Sequence, residues 1–317
     1  VKGLRSPLAL LALGAALLSA CDLVPTSPRP EPRGPVVVPE DVTFTPSPRS
    51  EALSAYYATV QRQLLAQGLL RKDGGGPDTP FAKRNLVDNF VQIAAFEEYT
   101  IDGLRAQQSG NESRIRRWAK PISMRLEFGN SVLPEQAAPL QGAVEKYIRR
   151  LSRITGQRMS LAPEGSAANF HVAVLDVDEL EGFAPRLQAL VPGLTSNVAR
   201  DLTRLPRPQY CAIYTFFDAS APHQISTAVA ILRTELPPLL SEACIHEEIA
   251  QGLGLSNDSP AARPSIFNDD DEFALLTTHD ERLLEILYDP RLPLGTGPAE
   301  ARPIVETIAT DLLGGES

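Results

Sequence analysis

The residues of this chain best equipped for chemistry crowd into positions 244–258, which read C-I-H-E-E-I-A-Q-G-L-G-L-S-N-D. The stretch holds a thiol (Cys244), an imidazole (His246), three carboxylates (Glu247, Glu248, Asp258) and two side-chain amides (Gln251, Asn257). Such groups ligate metals and move protons. A helix-borne metal hydrolase needs two ligands four residues apart, so that both face one ion. It also needs a Glu beside the first ligand to take a proton from the bound water. Counted from His246 the requirement fails, because position 250 is Ala and has no ligand atom.

Counted one residue later, the spacing resembles that of the metzincins, zinc proteases that read H-E-x-x-H-x-x-G-x-x-H. The resemblance implies the first ligand position for Glu247, the general-base position for Glu248 and the second ligand position for Gln251. It implies the turn at Gly254 and the third ligand position for Asn257, with Asp258 behind it. The stretch also resembles a bacterial lipoprotein family known only as a domain of unknown function, whose core reads C-x-x-E-E-x-x-Q-x-x-G-L-x-N-D. Downstream, P-S-I-F-N at 264–268 stands where metzincins have their Met-turn, with Phe267 in the Met position. Residues 276–288 resemble the L-T-x-x-D…L-Y helix that follows. The metzincin-type resemblance spans roughly residues 118–292, and the lipoprotein-family resemblance starts at about Leu86. Together they imply an α/β (α+β) fold: a zincin-like mixed sheet with an active-site-type helix, preceded by a small helical N-terminal region.

The departures from that pattern change the chemistry. All three implied ligand positions, Glu247, Gln251 and Asn257, carry oxygen donors. Zinc prefers imidazole and thiolate, whereas oxygen donors suit a hard cation such as calcium. Without a metal, the same groups can hydrogen-bond to one another and hold helix and loop together. The leading reading is therefore a non-catalytic relic with a binding or envelope-organising role and no cofactor. The alternatives are a divergent metallopeptidase or hydrolase using Glu248 as general base with a divalent cation at Glu247/Gln251/Asn257, or a zinc site that recruits His246 in a rearranged geometry. His171, in a strand-like run, and His279, in the first turn of a helix, read as structural or surface residues. The N-D-D-D-E run at 268–272 reads as a solvated acidic turn. Lying over Glu247 and Glu248, it would make one acidic pocket with them.

The elements that must position these groups follow from periodicity. An amphipathic helix runs through Leu53, Tyr57, Val60 and Leu64 and stops near Gly68. A second carries Leu86, Phe90 and Ile93, and its end at 93–100 reads equally as a strand. Residues 107–113 read as a polar loop, and Trp118 as a core anchor. Residues 122–128 alternate as a strand, 133–155 form a helix with Gly156 as its cap, and 170–177 form a buried strand. After a long connection come strands at 210–217 and 226–233. The helix bearing the central stretch starts at Ser241 as N-cap. A helix capped by Thr278 and Glu281 buries Leu283 and Leu287, and a last helix at 299–313 runs through Ile304, Ile308 and Leu312.

Composition adds a location. The chain has 317 residues and a net charge of −9, which argues against nonspecific nucleic-acid binding. Lys2 and Arg5 precede an apolar run too short to span a bilayer, which ends in L-S-A-C at 18–21. This resembles the lipobox of bacterial lipoproteins and implies cleavage before Cys21 and acylation of its thiol, including palmitate. The protein is then anchored in the cell envelope and faces the periplasm, with Asp22 favouring the inner membrane. A Pro-rich tether follows. Lipid on Cys21 leaves Cys211 and Cys244, and in an oxidising compartment these are expected to form a disulfide rather than a two-Cys metal site. The expected organisation is signal peptide 1–20, tether 21–50, helical region 51–115, zincin-like domain 116–298, and C-terminal helix and tail 299–317. The expected partners are the membrane through Cys21 and an envelope protein or peptide.

Overall fold

The computed structural model describes residues 44–101 and 106–314. The expected signal segment, Cys21 and most of the expected tether lie outside the described residues.

The sheet is organised by β6 (Phe170–Leu175), whose six residues are all buried. A strand buried on both faces is what a parallel sheet covered by helices on each side requires. β6 lies between β4 (Ile122–Phe128) and β8 (Ala221–Arg233), parallel to both. Beyond β4 comes the short parallel β5 (Met159–Leu161). The other edge of β8 pairs antiparallel with β7 (Cys211–Asp218), and β3 (Arg117–Trp118) extends the sheet along the start of β8. The fold is mixed α/β with a mostly parallel sheet.

Strand alternation sorts the core onto the two faces. Val172, Val174, Ala228, Ala230 and Leu232 join one cluster. It includes residues of α1 (Pro48–Ala66), α2 (Lys83–Ala94), α3 (Pro134–Thr155), α7 (Pro238–Gln251), α8 (Thr278–Tyr288) and α9 (Pro298–Leu312). Ala173, Leu175, Val229 and Ile231 face a second cluster, built with α4 (Val177–Gly182), α5 (Ala184–Leu190) and α6 (Ser196–Leu202). The sequence reads this second layer only as a long connection, because each helix is under three turns and too short to show a period. α1, α2 and α9 share the main core, so the chain from Phe44 onward forms one compact unit.

Three local expectations change. Residues 107–113 are not a loop: β2 (Ala106–Glu112) pairs antiparallel with β1 (Phe96–Ile101). A two-stranded ribbon is held by backbone pairing, which a polar sequence satisfies without any apolar alternation. The helix of the central stretch starts at Pro238, not after Ser241. Proline at the first helical position lacks only an N–H that would be orphaned there, and Ser241 already donates its N–H to the Pro237 carbonyl at 3.0 Å. The cap of α8 is Thr277 with Asp280, one residue earlier than Thr278 with Glu281. Glu281 instead pairs with Arg150 at 2.8 Å.

Candidate acidic cavity beside the disulfide

α7 is fixed at its middle and at its C-terminal end. Cys244 near its middle is bonded to Cys211 at the start of β7, with Cα atoms 6.0 Å apart. At its C-terminal end, the Trp118 Nε1–H donates to the Gly252 carbonyl at 2.8 Å. The chain then turns at Gly254, whose φ of +123° is open to glycine alone. A Cβ there would also lie 2.2 Å from the Arg116 carbonyl oxygen. The turn brings Ser256 to Ser259 back toward α7.

A cavity of about 270 Å³ opens between α7, β7 and the 265–274 segment. Glu247, Glu248, Gln251 and Asp258 line it from α7 and the returning chain. Asp269 and Asp271 line it from the acidic run, and Tyr210 to Tyr214 from the edge strand. The acidic run is therefore part of the same pocket as the two glutamates. Its conformation is set locally. Asn268 is buried, donates to the Ala262 carbonyl at 2.8 Å and accepts from the Asp270 N–H at 3.0 Å. Asp269 and Asp271 adopt positive φ. Leu70 and Arg71 donate their N–H groups to the carbonyls of Asp271 and Glu272, each at 2.8 Å. Glu272 is neutralised by Arg263 at 2.8 Å and Arg71 at 3.2 Å.

The crowding of carboxyls in a low-dielectric site shifts their ionisation. Burial pushes the Glu247 carboxyl well above the usual carboxylate range, and the neighbouring Glu248 and Asp258 push it further. Burial also raises Asp271 to about 6, with Asp270 and Asp269 adding to the effect. Glu247 keeps part of its surface on the cavity, whereas Glu248 is 4 % exposed.

The structure brings some of the sequence-derived residues together and separates others. Gln251 Nε2–H donates to Asp258 Oδ1 at 3.1 Å, so these two form one unit on the cavity wall. Asn257 is not on that wall. Its Nδ2–H donates to the Gln92 carbonyl at 3.0 Å and its N–H to the Ile93 carbonyl at 3.1 Å, which pins the loop to the end of α2. His246 is not on the wall either. Its ring stacks on Tyr147 at 3.9 Å, and its Nδ1 accepts the Leu276 N–H at 3.0 Å. Burial, with Arg150 and Lys146 nearby, pulls its pKa down to about 3, so it is neutral. His171 is structural, with Nδ1 2.8 Å from Glu127, and His279 is fully buried against Phe81 and Asn89.

The donor set does not fit zinc. Cys211 Sγ and one carboxylate oxygen each from Glu247 and Glu248 lie within 4.8 Å of one another. That sulfur is committed to Cys244, and zinc takes the thiolate. The remaining donors are carboxylates and one amide, a set that suits a hard cation or the ammonium or guanidinium group of a ligand.

Asp280, present in the sequence analysis only as the D of the L-T-x-x-D pattern and given no role there, organises the far wall. Fully buried, it accepts the Ser265 hydroxyl at 2.5 Å, the Ile266 N–H at 3.1 Å and the Thr277 N–H at 2.9 Å. Its signal was the Thr277-x-x-Asp280 capping spacing, read one residue out of register.

These features define a mixed α/β domain in which an antiparallel edge strand and a disulfide-tethered helix enclose an acidic cavity. The chain belongs to the DUF2927 family, described as a protein of unknown function, whose profile matches residues 83–307, from the start of α2 into α9. No curated protein and no solved structure matches the chain.

Proposed function

We propose that the protein is a cell-envelope lipoprotein, anchored through acylated Cys21, whose domain keeps the outline of a metalloprotease site and uses it to bind rather than to hydrolyse. Its partner is a peptide or protein segment presenting a basic side chain. The carrying observation is the cavity: Glu247, Glu248, Asp258, Asp269 and Asp271 surround it, while no imidazole lines it. Beside it, β7 pairs with β8 alone among the described strands. An extended segment laid along that edge would find unpaired backbone groups, with the acidic cavity for one side chain. The Cys211–Cys244 disulfide supports an oxidising compartment, in keeping with a periplasmic location.

The test is a binding titration with short peptides that carry Arg, Lys or Gln at one position. Basic peptides are expected to bind, and Glu247→Gln with Glu248→Gln is expected to weaken them by roughly tenfold. Indifference to the basic residue would sink the proposal. A second reading is a hydrolase with Glu248 as general base. It is favoured by the pairing of Glu247, whose carboxyl is pushed toward its protonated form, with a second carboxyl in one cavity. Stoichiometric metal in protein purified without chelator, lost on Glu247→Ala, would favour this reading over the first.

A further inference from the structure

A second cavity, of about 290 Å³, lies beneath α1 and has the opposite character. Arg49 and Tyr56 of α1, Arg207 from the loop before β7 and Arg233 at the end of β8 line it, with Leu53 and Leu205 supplying apolar surface. None of these residues takes part in the acidic cavity.

Arg233 is unusual in being 2 % exposed. Its Nε–H donates to the Gln209 carbonyl at 3.3 Å and its Nη2–H to the Leu205 carbonyl at 2.5 Å. Its Nη1 is buried and has no partner. Arg207 lies over the Tyr56 ring, 4.4 Å from its centre. Neither guanidinium has a carboxylate within 4.0 Å among the described residues. Arg49, by contrast, is paired with Glu181. Glu235, two residues beyond Arg233, does not line the cavity. Its Oε1 accepts the Ser50 hydroxyl at 3.0 Å and the Val177 N–H at 2.8 Å, and its Oε2 is buried without a partner. Burial raises the Glu235 pKa, and the positive charge of Arg233 acts against that shift without the two forming an ion pair.

A buried guanidinium held only by carbonyls, with a donor unmet, is unfavourable until an anion completes it. Arginine offers a planar fork of N–H groups that matches the oxygens of a phosphate, and two such forks on one cavity suit a multiply charged oxyanion. We propose that this cavity binds a phosphate group, with Arg207 and Arg233 as its cationic contacts. Tyr56, Leu53 and Leu205 receive the apolar part of any molecule that carries it.

The experiment measures thermal stabilisation and calorimetric binding on the full chain. One arm uses inorganic phosphate, and the other a short-chain phosphatidylglycerol kept below its micelle concentration. Chloride at matched ionic strength is the control. The expected result is a saturable rise in melting temperature with phosphate and none with chloride. Arg207→Ala, at an exposed position whose guanidinium packs on Tyr56 and whose backbone contact to Tyr57 the alanine keeps, is expected to weaken binding by roughly tenfold. Arg233→Lys, which keeps the charge and loses the fork, is expected to weaken it as well. Tighter binding of the lipid than of phosphate identifies a headgroup as the source, and equal binding identifies a soluble phosphate; either result upholds the site. No saturable binding in either arm, or binding that Arg207→Ala leaves unchanged, overturns it.

Discussion

The imidazole of His246 accepts the backbone N–H of Leu276 at 3.0 Å while lying flat on Tyr147. The single histidine of the central stretch is thus a joint between α7, α3 and the segment entering α8. Burial depresses its folded pKa to about 3, from an ordinary histidine value of 6.5. A depressed histidine contributes stability above its unfolded pKa and loses it as pH falls through the folded value. The domain is therefore expected to weaken progressively between pH 6.5 and 3. His246→Phe keeps the stacking but leaves the Leu276 N–H unmet. It should cost about 1–2 kcal/mol at pH 7 and flatten that acid limb in urea titrations run across the pH range.

Glu247 behaves in the opposite sense. Its carboxyl pKa is raised by burial and then by Glu248 and Asp258. A raised carboxyl favours the folded state at low pH, and that contribution is lost as pH rises above the ordinary carboxylate range. Glu247→Gln imitates the protonated form. The variant is expected to match the parent at pH 4 and exceed its melting temperature at pH 8. A parent that remains the more stable at pH 8 would mean that a bound cation matches the charge.

Asp280 gathers the 264–267 turn and the α8 cap onto one carboxylate. Asp280→Ala strands several buried donors and is expected to cost at least ~3 kcal/mol. Asp280→Asn keeps one acceptor oxygen and should lose less. The comparison is made by chemical denaturation, and equal losses would show that the charge, not the acceptor geometry, is what matters.

Gly254 combines a positive φ with the close approach of the Arg116 carbonyl. Gly254→Ala is expected to destabilise the domain by more than ~2 kcal/mol and to release the Gln251–Asp258 contact, which a crystal structure of the variant would display.

The disulfide joins positions 33 residues apart. In the chain-entropy description a loop of that size stabilises by about 3–4 kcal/mol. Cys211→Ser with Cys244→Ser is expected to lower stability by about that amount, measured against the oxidised parent. A parent whose stability is unchanged by reductant would contradict the linkage.

The residue pattern alone determined a good deal. The apolar run of β6, the alternation of β4 and the stripe of α3 with its Gly156 cap are local, so each is visible without a partner. The pairing of Cys211 with Cys244 followed from compartment and count, and the spacing from Glu247 to Asp258 pointed to one constellation. The end of the second helical segment already read equally as a strand, which is β1, whereas the polar β2 and the three short helices of the second layer carried no period to read. Tertiary structure decided what the chemical groups face. One helix holds His246 and Glu247 side by side, but its rotation sends the imidazole to Tyr147 and the carboxylate to the cavity. Asn257 was spaced as a ligand, yet its amide closes the end of α2. Asp269 and Asp271 complete the acidic wall in a segment whose Asp271 and Glu272 carbonyls are held by the N–H groups of Leu70 and Arg71, far away in sequence. Side-chain direction depends on which neighbour buries each face, and that is a property of the assembled core rather than of the spacing.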